Sequence, residues 1–231
     1  MAARASSTMR TVVVIPAFNE EQTIFPVAAA VLERGHEVVV VDDGSSDETS
    51  AEARRSGARV LRHPINRGYG AALTTGTEWA VRRGYDVVVH FDADGQHDPD
   101  DIEGIVEPIR AGQADVAIGS RFLGKAQALP WRRRLLIRLA VLFTQVVSRV
   151  RLTDAHNGFR ALSAGAARRL DCHEDGMSYA SELIERVARQ GLRLCEVPVT
   201  ITYSEYSMGK GESNLAKLRV GFRFLWSKLT R

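Results

Sequence analysis

Only two cysteines, Cys172 and Cys195, occur in the 231 residues. That excludes a disulfide scaffold and a four-thiolate zinc site, and it fits a reducing compartment. Long apolar runs are missing as well. In the segment 131–150 the longest unbroken run is Leu139–Phe143, far short of the about 20 apolar residues that a membrane-spanning helix needs. No apolar stretch precedes the first strand, where Arg4 and Arg10 stand instead, so no signal peptide is expected. No Gly-x-Gly-x-x-Gly opens the first helix, which argues against a dinucleotide-dependent oxidoreductase. His90 and His97 have no third His or Cys at ligand-like spacing, and neither is expected to hold zinc. Internal repeats and low-complexity linkers are absent.

What is present reads as an ordinary globular chain, 45% hydrophobic and 26% charged, of a length suited to one large domain. The net charge of +3 hides a segregation. Residues 125–153 carry seven Lys or Arg and no acid, and residues 208–231 carry six against Glu212 alone. These stretches together hold +12, which leaves −9 on the rest of the chain. Such clustering points to a localised anionic partner instead of a general affinity for polyanions.

Apolar runs and their punctuation predict alternating strands and helices through residue 119. Strands are expected at Thr11–Pro16, Glu37–Val41, Ala58–Arg62, Asp86–Phe91 and Asp115–Gly119. Helices are expected at Glu20–Arg34, from Asp47 to Ser56, at Gly70–Arg83 and at Asp100–Arg110. This rhythm implies an α/β fold, a mostly parallel sheet with helices on both faces. Beyond it the pattern gives a basic helix over Leu129–Leu152, a polar loop over Asp154–Arg160, a helix over Ser178–Gln190, a strand over Arg193–Val197 and a final helix over Asn214–Arg231. We divide the chain into one domain over 10–213, with an amphipathic interface helix at 130–151 inside it, and a basic amphipathic helix at 214–231.

Parallel sheets bind ligands at the carboxyl ends of their strands, and the polar clusters fall there. Asp92-Ala93-Asp94-Gly95-Gln96 follows Val87-Val88-Val89. Two carboxylates and an amide oxygen make a hard-oxygen set suited to Mg²⁺ or Mn²⁺, which complete their shells with water and substrate phosphate. A departing diphosphate needs that neutralisation. The same residues also suit a plain solvated turn. In Asp42-Asp43-Gly44-Ser45-Ser46-Asp47, a carboxylate can accept from a base or ribose, while Ser46 or Asp47 can simply cap the next helix. Asn66-Arg67-Gly68-Tyr69-Gly70 reads as a phosphate-approaching glycine turn.

Five motifs stand in order: Val14-Ile15-Pro16-Ala17-Phe18-Asn19-Glu20, Val41 to Asp47, Asn66 to Gly70, Asp92 to Gln96, and Gly119-Ser120-Arg121-Phe122. Together they resemble the family 2 glycosyltransferases of GT-A fold, most closely the polyprenyl-phosphate branch that includes dolichol-phosphate mannose synthase. The resemblance spans roughly residues 10–215. It extends to Thr153-Asp154-Ala155-His156-Asn157-Gly158-Phe159-Arg160, similar to that branch's acceptor-side motif, and to Gly209-Lys210-Gly211-Glu212-Ser213, similar to its phosphate-contacting loop. It implies that Pro16, Phe18, Glu20 and Asp43 hold the nucleoside, with Asn66, Gly70 and Lys210 on the donor side. It implies that Asp92, Asp94 and Gln96 hold the metal and diphosphate. Arg121 would face phosphate or acceptor, and Asp154 the reaction centre. The branch often has an Arg before its Gly-x-Ser, whereas Tyr203-Ser204-Glu205-Tyr206 stands there, with Lys210 following. The Gln-x-x-Arg-Trp of processive synthases is missing: none of Trp79, Trp131 and Trp226 follows an Arg.

The basic segments point to a lipid acceptor. Arg134, Arg138, Gln145 and Arg149 fall on one helical stripe, and Leu135, Leu139, Leu142, Val146 and Val150 on another. Leu215, Leu218, Phe222, Leu225 and Leu229 repeat the plan beside Lys217, Arg219, Arg223, Lys228 and Arg231. Helices of this kind lie in a membrane interface, although each alone also suits packing on a core. Nucleic acid is not an expected partner, because no recognition motif or stacking platform accompanies the charge. The expected activity is metal-dependent, inverting transfer of one sugar from a nucleotide-diphosphate sugar to a polyprenyl phosphate. The expected location is cytoplasmic, peripheral on the inner face of the cell membrane, with room for a small membrane-protein partner. Alternatives are transfer to a soluble hydroxyl acceptor, a nucleotide-sugar pyrophosphorylase, and a non-enzymatic lipid-binding regulator.

Overall fold

Valines alternate across the first strand. Val13 and Ile15 pack on one face of the sheet, and Val12 and Val14 on the other, all buried. A strand buried on both faces is what a continuous apolar run predicts, and each such side chain contributes about 1.5–3 kcal/mol by burial. The computed structural model describes residues 9–127, 152–155, 157–176 and 178–203. The interface helix at 130–151, the loop with Lys210 and the helix at 214–231 lie outside the described residues.

The strands are β1 (Thr11–Ala17), β2 (Glu37–Asp42), β3 (Arg59–Arg62), β4 (Val87–His90), β5 (Val116–Gln127), β6 (Arg160–Ser163) and β7 (Leu194–Thr202). They form one sheet in the order β3-β2-β1-β4-β6-β5-β7. The helices are α1 (Ile24–Glu33), α2 (Thr49–Arg55), α3 (Tyr69–Arg82), α4 (Ile102–Arg110), α5 (Ala164–Arg169) and α6 (Tyr179–Arg189). Side chains of α1, α2 and α4 join the cluster on one face, and those of α3, α5 and α6 the cluster on the other. The expected α/β architecture, a mostly parallel sheet covered on both faces, is therefore present.

The sheet is parallel except at β6, which runs antiparallel to both β4 and β5. β6 corrects the sequence reading, which ended a loop at Arg160. Its four residues, Arg-Ala-Leu-Ser, offer no apolar run, and its strand character comes from two neighbours that need a partner. Ser163 Oγ then accepts from Ala166 N (3.1 Å) and starts α5, a helix the periodicity did not reveal. β5 runs past Gly119 to Gln127, with an irregularity between Ser120 and Lys125 before it rejoins β7. α1 begins at Ile24, not Glu20.

β1 pairs with β4 only through Val14↔His90, but with β2 through Ala17↔Asp42. Pro16, without an N–H, thus sits where the β4 ladder has ended. The strand order reverses direction at this same place, between β1 and β4. A crevice at such a switch point is where open sheets take ligands.

Candidate active site

The acidic centre stands at the tip of β4. Asp92 Oδ1 accepts from Tyr69 Oη (2.8 Å), and its Oδ2 lies 3.1 Å from His97 Nε2. Gly158 comes so close that a Cβ there would sit 2.1 Å from Asp92 Oδ2. Burial pushes the Asp92 carboxyl up, but the hydrogen bonds from His97 and Tyr69 and the charge of Arg160 outweigh it and hold it below the usual range. At Asp94 the support, from the charge of His97 and the Gln96 N–H, is outweighed. Burial, and then the charge of Asp92, push it up to about 6. Its Oδ1 accepts from Gln96 N (3.0 Å), and the Gln96 carbonyl accepts from Thr202 N (2.9 Å), which ties the acidic turn to β7.

Two adjacent carboxylates, one of them reluctant to ionise, form a donor set that a hard cation fits. Among the described residues no three His, Cys, Asp or Glu side chains gather as a ready-made metal cage. His90 and His97 are both buried. Burial lowers His90 to about 3, and its Nε2 lies 2.9 Å from Thr77 Oγ1. His97 packs against the rings of Phe91 and Phe159.

The ends of β1 and β2 are tied into one wall. Asn19 adopts a left-handed φ of 54°, a conformation Asn tolerates. It donates its N–H to Ser45 Oγ (3.0 Å) and accepts from Ser46 N at Oδ1 (2.9 Å). Glu20 N donates to Thr49 Oγ1 (2.8 Å), and Thr23 Oγ1 donates to the Glu20 carboxylate (2.8 Å). Pro16 is buried, Phe18 is 45% exposed and Asn66 is exposed. Asp47 Oδ1 accepts from Thr49 N (3.0 Å), in a turn just before α2, whose N-cap is Glu48 with no side-chain cap bond. Asp43 is buried and organises the next turn: Oδ1 accepts from Arg67 N (2.9 Å) and meets His63 Nδ1 (2.7 Å), and Oδ2 accepts from Gly68 N (2.7 Å).

That turn is not the phosphate cradle expected from its glycines. Gly70 N donates to the Asp175 carbonyl (2.8 Å), as does Ala71 N (3.3 Å), so the start of α3 is already capped. A Cβ at Gly70 would lie 2.1 Å from the Glu174 carbonyl. Gly68, with φ of +109°, leaves equally little room beside Asp175. These glycines admit the 174–176 segment, and Gly70 packs against it.

A third group lies past the end of the parallel part of β5. Asp154 is fully buried. Its Oδ2 accepts from Arg121 N (3.1 Å), Arg121 Nε (2.6 Å) and Asn157 Nδ2 (3.2 Å), whereas its Oδ1 meets no hydrogen-bond partner among the described residues. Arg121 Nη1 donates to Tyr203 Oη (2.5 Å). The guanidinium is thus gripped from two sides. Asp154, expected at the reaction centre, has no exposed surface and is bonded to Arg121.

Several residues of the site escaped the sequence reading. Tyr69, His97 and Tyr203 are hydrogen-bond partners of the named residues, and only the folded chain shows it. Arg160 begins β6 opposite His90 and Ile118, is 1% exposed, and finds no acceptor for Nε or Nη1 among the described residues. Its signal was a basic residue directly after the apolar Phe159. Glu196 holds the 153–154 turn, and a lone acid in an apolar strand was its only mark.

Comparison with known proteins agrees with this geometry. Residues 12–171 match the family model for glycosyl transferase family 2. The chain is 33% identical over 216 residues to the polyprenol monophosphomannose synthase of Mycolicibacterium smegmatis, covering 88% of this chain and 81% of that one. It is 32% identical over 240 residues to the undecaprenyl-phosphate mannosyltransferase of Micrococcus luteus, covering 96% and 98%. Among solved structures, glucosyl-3-phosphoglycerate synthase from Mycobacterium tuberculosis, in complex with Mn²⁺ and UDP-glucose, superposes with a TM-score of 0.74 at 22% identity, covering 97% of this chain and 79% of that one. That likeness is one of fold, the GT-A architecture. With an acidic strand tip at the switch point of such a sheet, and a family model that covers most of its length, this chain belongs to glycosyl transferase family 2 and is a glycosyltransferase.

Proposed function

We propose that the protein transfers a single sugar, with inversion, from a nucleotide-diphosphate sugar to a polyprenyl phosphate at the inner face of the cell membrane. Two relatives carry polyprenyl-phosphate chemistry in their names, and the fold neighbour holds Mn²⁺ and a nucleotide sugar. The observation that carries the reading is the engagement of Asp154 by Arg121. A soluble hydroxyl acceptor needs a general base to take its proton. Asp154 has no exposed surface and is ion-paired with Arg121 through Oδ2, so it is poorly placed to be that base. A phosphate monoester has its second pKa near 6, is largely dianionic at neutral pH and needs none.

The roles follow. Asp92, Asp94 and Gln96 would hold a Mg²⁺ or Mn²⁺ ion, which when bound supplies the positive charge that a departing diphosphate requires. Tyr69 and His97 fix the Asp92 carboxylate. Pro16, Phe18, Glu20 and the turn organised by Asp43 form the nucleoside wall. Arg121, aimed by Asp154 and Tyr203, meets the acceptor phosphate and orients its oxygen toward the anomeric carbon.

The test is incubation with a panel of UDP- and GDP-sugars, with polyprenyl phosphate and Mn²⁺, and lipid-linked product as the readout. One donor is expected to give product, and EDTA to abolish it. Transfer to a soluble alcohol with no response to polyprenyl phosphate would sink the reading. Asp94→Ala that leaves function intact would favour a lipid-binding regulator.

A further inference from the structure

Resting on that acceptor-side reading, we propose that Glu196 is a positioning residue for the transfer, acting on Arg121 through the turn at Thr153 and Asp154. Glu196 sits on β7, in register with Ile118 of β5. Its carboxylate faces the turn that leads into β6. Oε1 accepts from Thr153 N (2.9 Å), Thr153 Oγ1 (2.9 Å) and Asp154 N (2.9 Å), and Oε2 also lies 2.8 Å from Thr153 N. Two consecutive backbone N–H groups and a hydroxyl thus end on one side chain from another part of the chain.

The chemistry explains why an acid stands there. A turn outside helix and sheet has no ladder to take its N–H groups; Thr153 is exposed, but Asp154 is buried, and leaving its N–H unmet there is costly. A carboxylate accepts on both oxygens and donates on neither, so it takes all of these donors at once. The hold then passes along a continuous path. Thr153 Oγ1 lies 2.6 Å from Ser120 Oγ, beside Arg121 in the chain. Asp154, pinned through its N–H, takes the Arg121 N–H and Nε on Oδ2. Arg121 in turn reaches Tyr203, at the end of β7. The path leaves β7 at Glu196 and ends at Tyr203, directly after β7, with Arg121 as its middle link.

A merely structural Glu196 would affect all steps alike, whereas a positioning Glu196 acts on the acceptor side alone, far from the nucleoside wall built on β1 and β2. The experiment compares wild type, Glu196→Ala and Glu196→Gln in amide hydrogen exchange at residues 153–154 and in steady-state kinetics against polyprenyl phosphate and donor. Glu196→Ala should speed exchange at the turn and raise the acceptor KM, each by about tenfold, as loss of charge-assisted hydrogen bonds implies. The donor KM should change less than about twofold, as expected where the donor contacts are untouched. Glu196→Gln keeps the contacts of Oε1 through its amide oxygen and should recover most of the loss. Should Glu196→Ala fail to fold, Glu196→Gln alone still decides: it loses the Oε2 contact, so an acceptor KM raised about threefold supports the clamp and an unchanged one overturns it. Acceptor and donor KM rising together with a lowered melting temperature, or a wild-type acceptor KM in Glu196→Ala, would overturn the proposal. A wild-type enzyme that ignores polyprenyl phosphate overturns the acceptor reading instead, and unprotected amides at 153–154 in that same enzyme overturn the clamp.

Discussion

Asp92 and Asp94 are the same residue two positions apart, yet their surroundings separate them. Asp92 is held ionised by Tyr69, His97 and the buried charge of Arg160, whereas Asp94 is pushed up to about 6 by burial and by Asp92 itself. A cation at this pair must displace the proton of Asp94, so binding and protonation compete. Asp94 is largely ionised above pH 6 and largely protonated below it. Mn²⁺ affinity, measured by calorimetry on the protein alone, is therefore expected to be nearly constant from pH 7 upward. Below pH 6 it should weaken by up to about tenfold per pH unit. Asp94→Asn should bind weakly throughout and lose this pH dependence.

Elements decide two further matters. The start of α3 has been given to the 174–176 segment, and Gly70 is the residue that permits it. Gly70→Ala would drive a methyl group into the Glu174 carbonyl, with a Cβ–O distance of 2.1 Å. It is expected to cost about 1–3 kcal/mol as an overpacked contact, read by urea denaturation. Gly104, within α4, has nothing within 4 Å of its would-be Cβ and an ordinary helical φ. Gly104→Ala should stabilise by about 0.5–1 kcal/mol in the same assay. The second matter is the junction of β5 with β7. The carboxylate of Asp115 accepts from Arg193 N (2.8 Å), Nε (3.0 Å) and Nη2 (2.8 Å), and these bonds draw it down to about 2. A carboxylate whose folded pKa is depressed gives stability that is present above its unfolded value, near 4, and is lost as pH falls through the folded value. Acid unfolding should therefore steepen between pH 4 and pH 2, and Asp115→Asn should flatten that limb. Exposure of Arg193 keeps the effect small.

At the scale of the whole molecule the charge is divided. The basic stretches at 125–153 and 208–231 oppose an otherwise acidic chain, and among the described residues no helix is long and apolar enough to cross a membrane. On the proposed function, the basic stretches would meet the surface that carries a lipid-linked acceptor, with about 1 kcal/mol from each basic residue near anionic lipid. Co-sedimentation with anionic vesicles is expected at low ionic strength. It should fall sharply as salt rises toward 0.5 M, where the Debye length drops to about 4 Å. Equal binding to neutral vesicles would contradict this.

The sequence by itself determined the βα rhythm through β5, the acidic tip at Asp92 and Asp94 and the wall from Pro16 to Glu20. Each is local: an apolar run of strand length, or a polar cluster at its end, is written in consecutive residues. The family followed from the order of such clusters along the chain. Tertiary structure alone decided what Arg160, Glu196 and Asp154 do. β6 is too short and too polar to announce itself, and it became a strand because β4 and β5 left a place between them. Asp154 lies 33 positions from Arg121 and 42 from Glu196, and no local pattern encodes which pairs of residues a sheet register will bring together. The glycines at 68 and 70 make the same point. Their spacing suggested an approaching phosphate, and the neighbour that needed the room was another part of the chain.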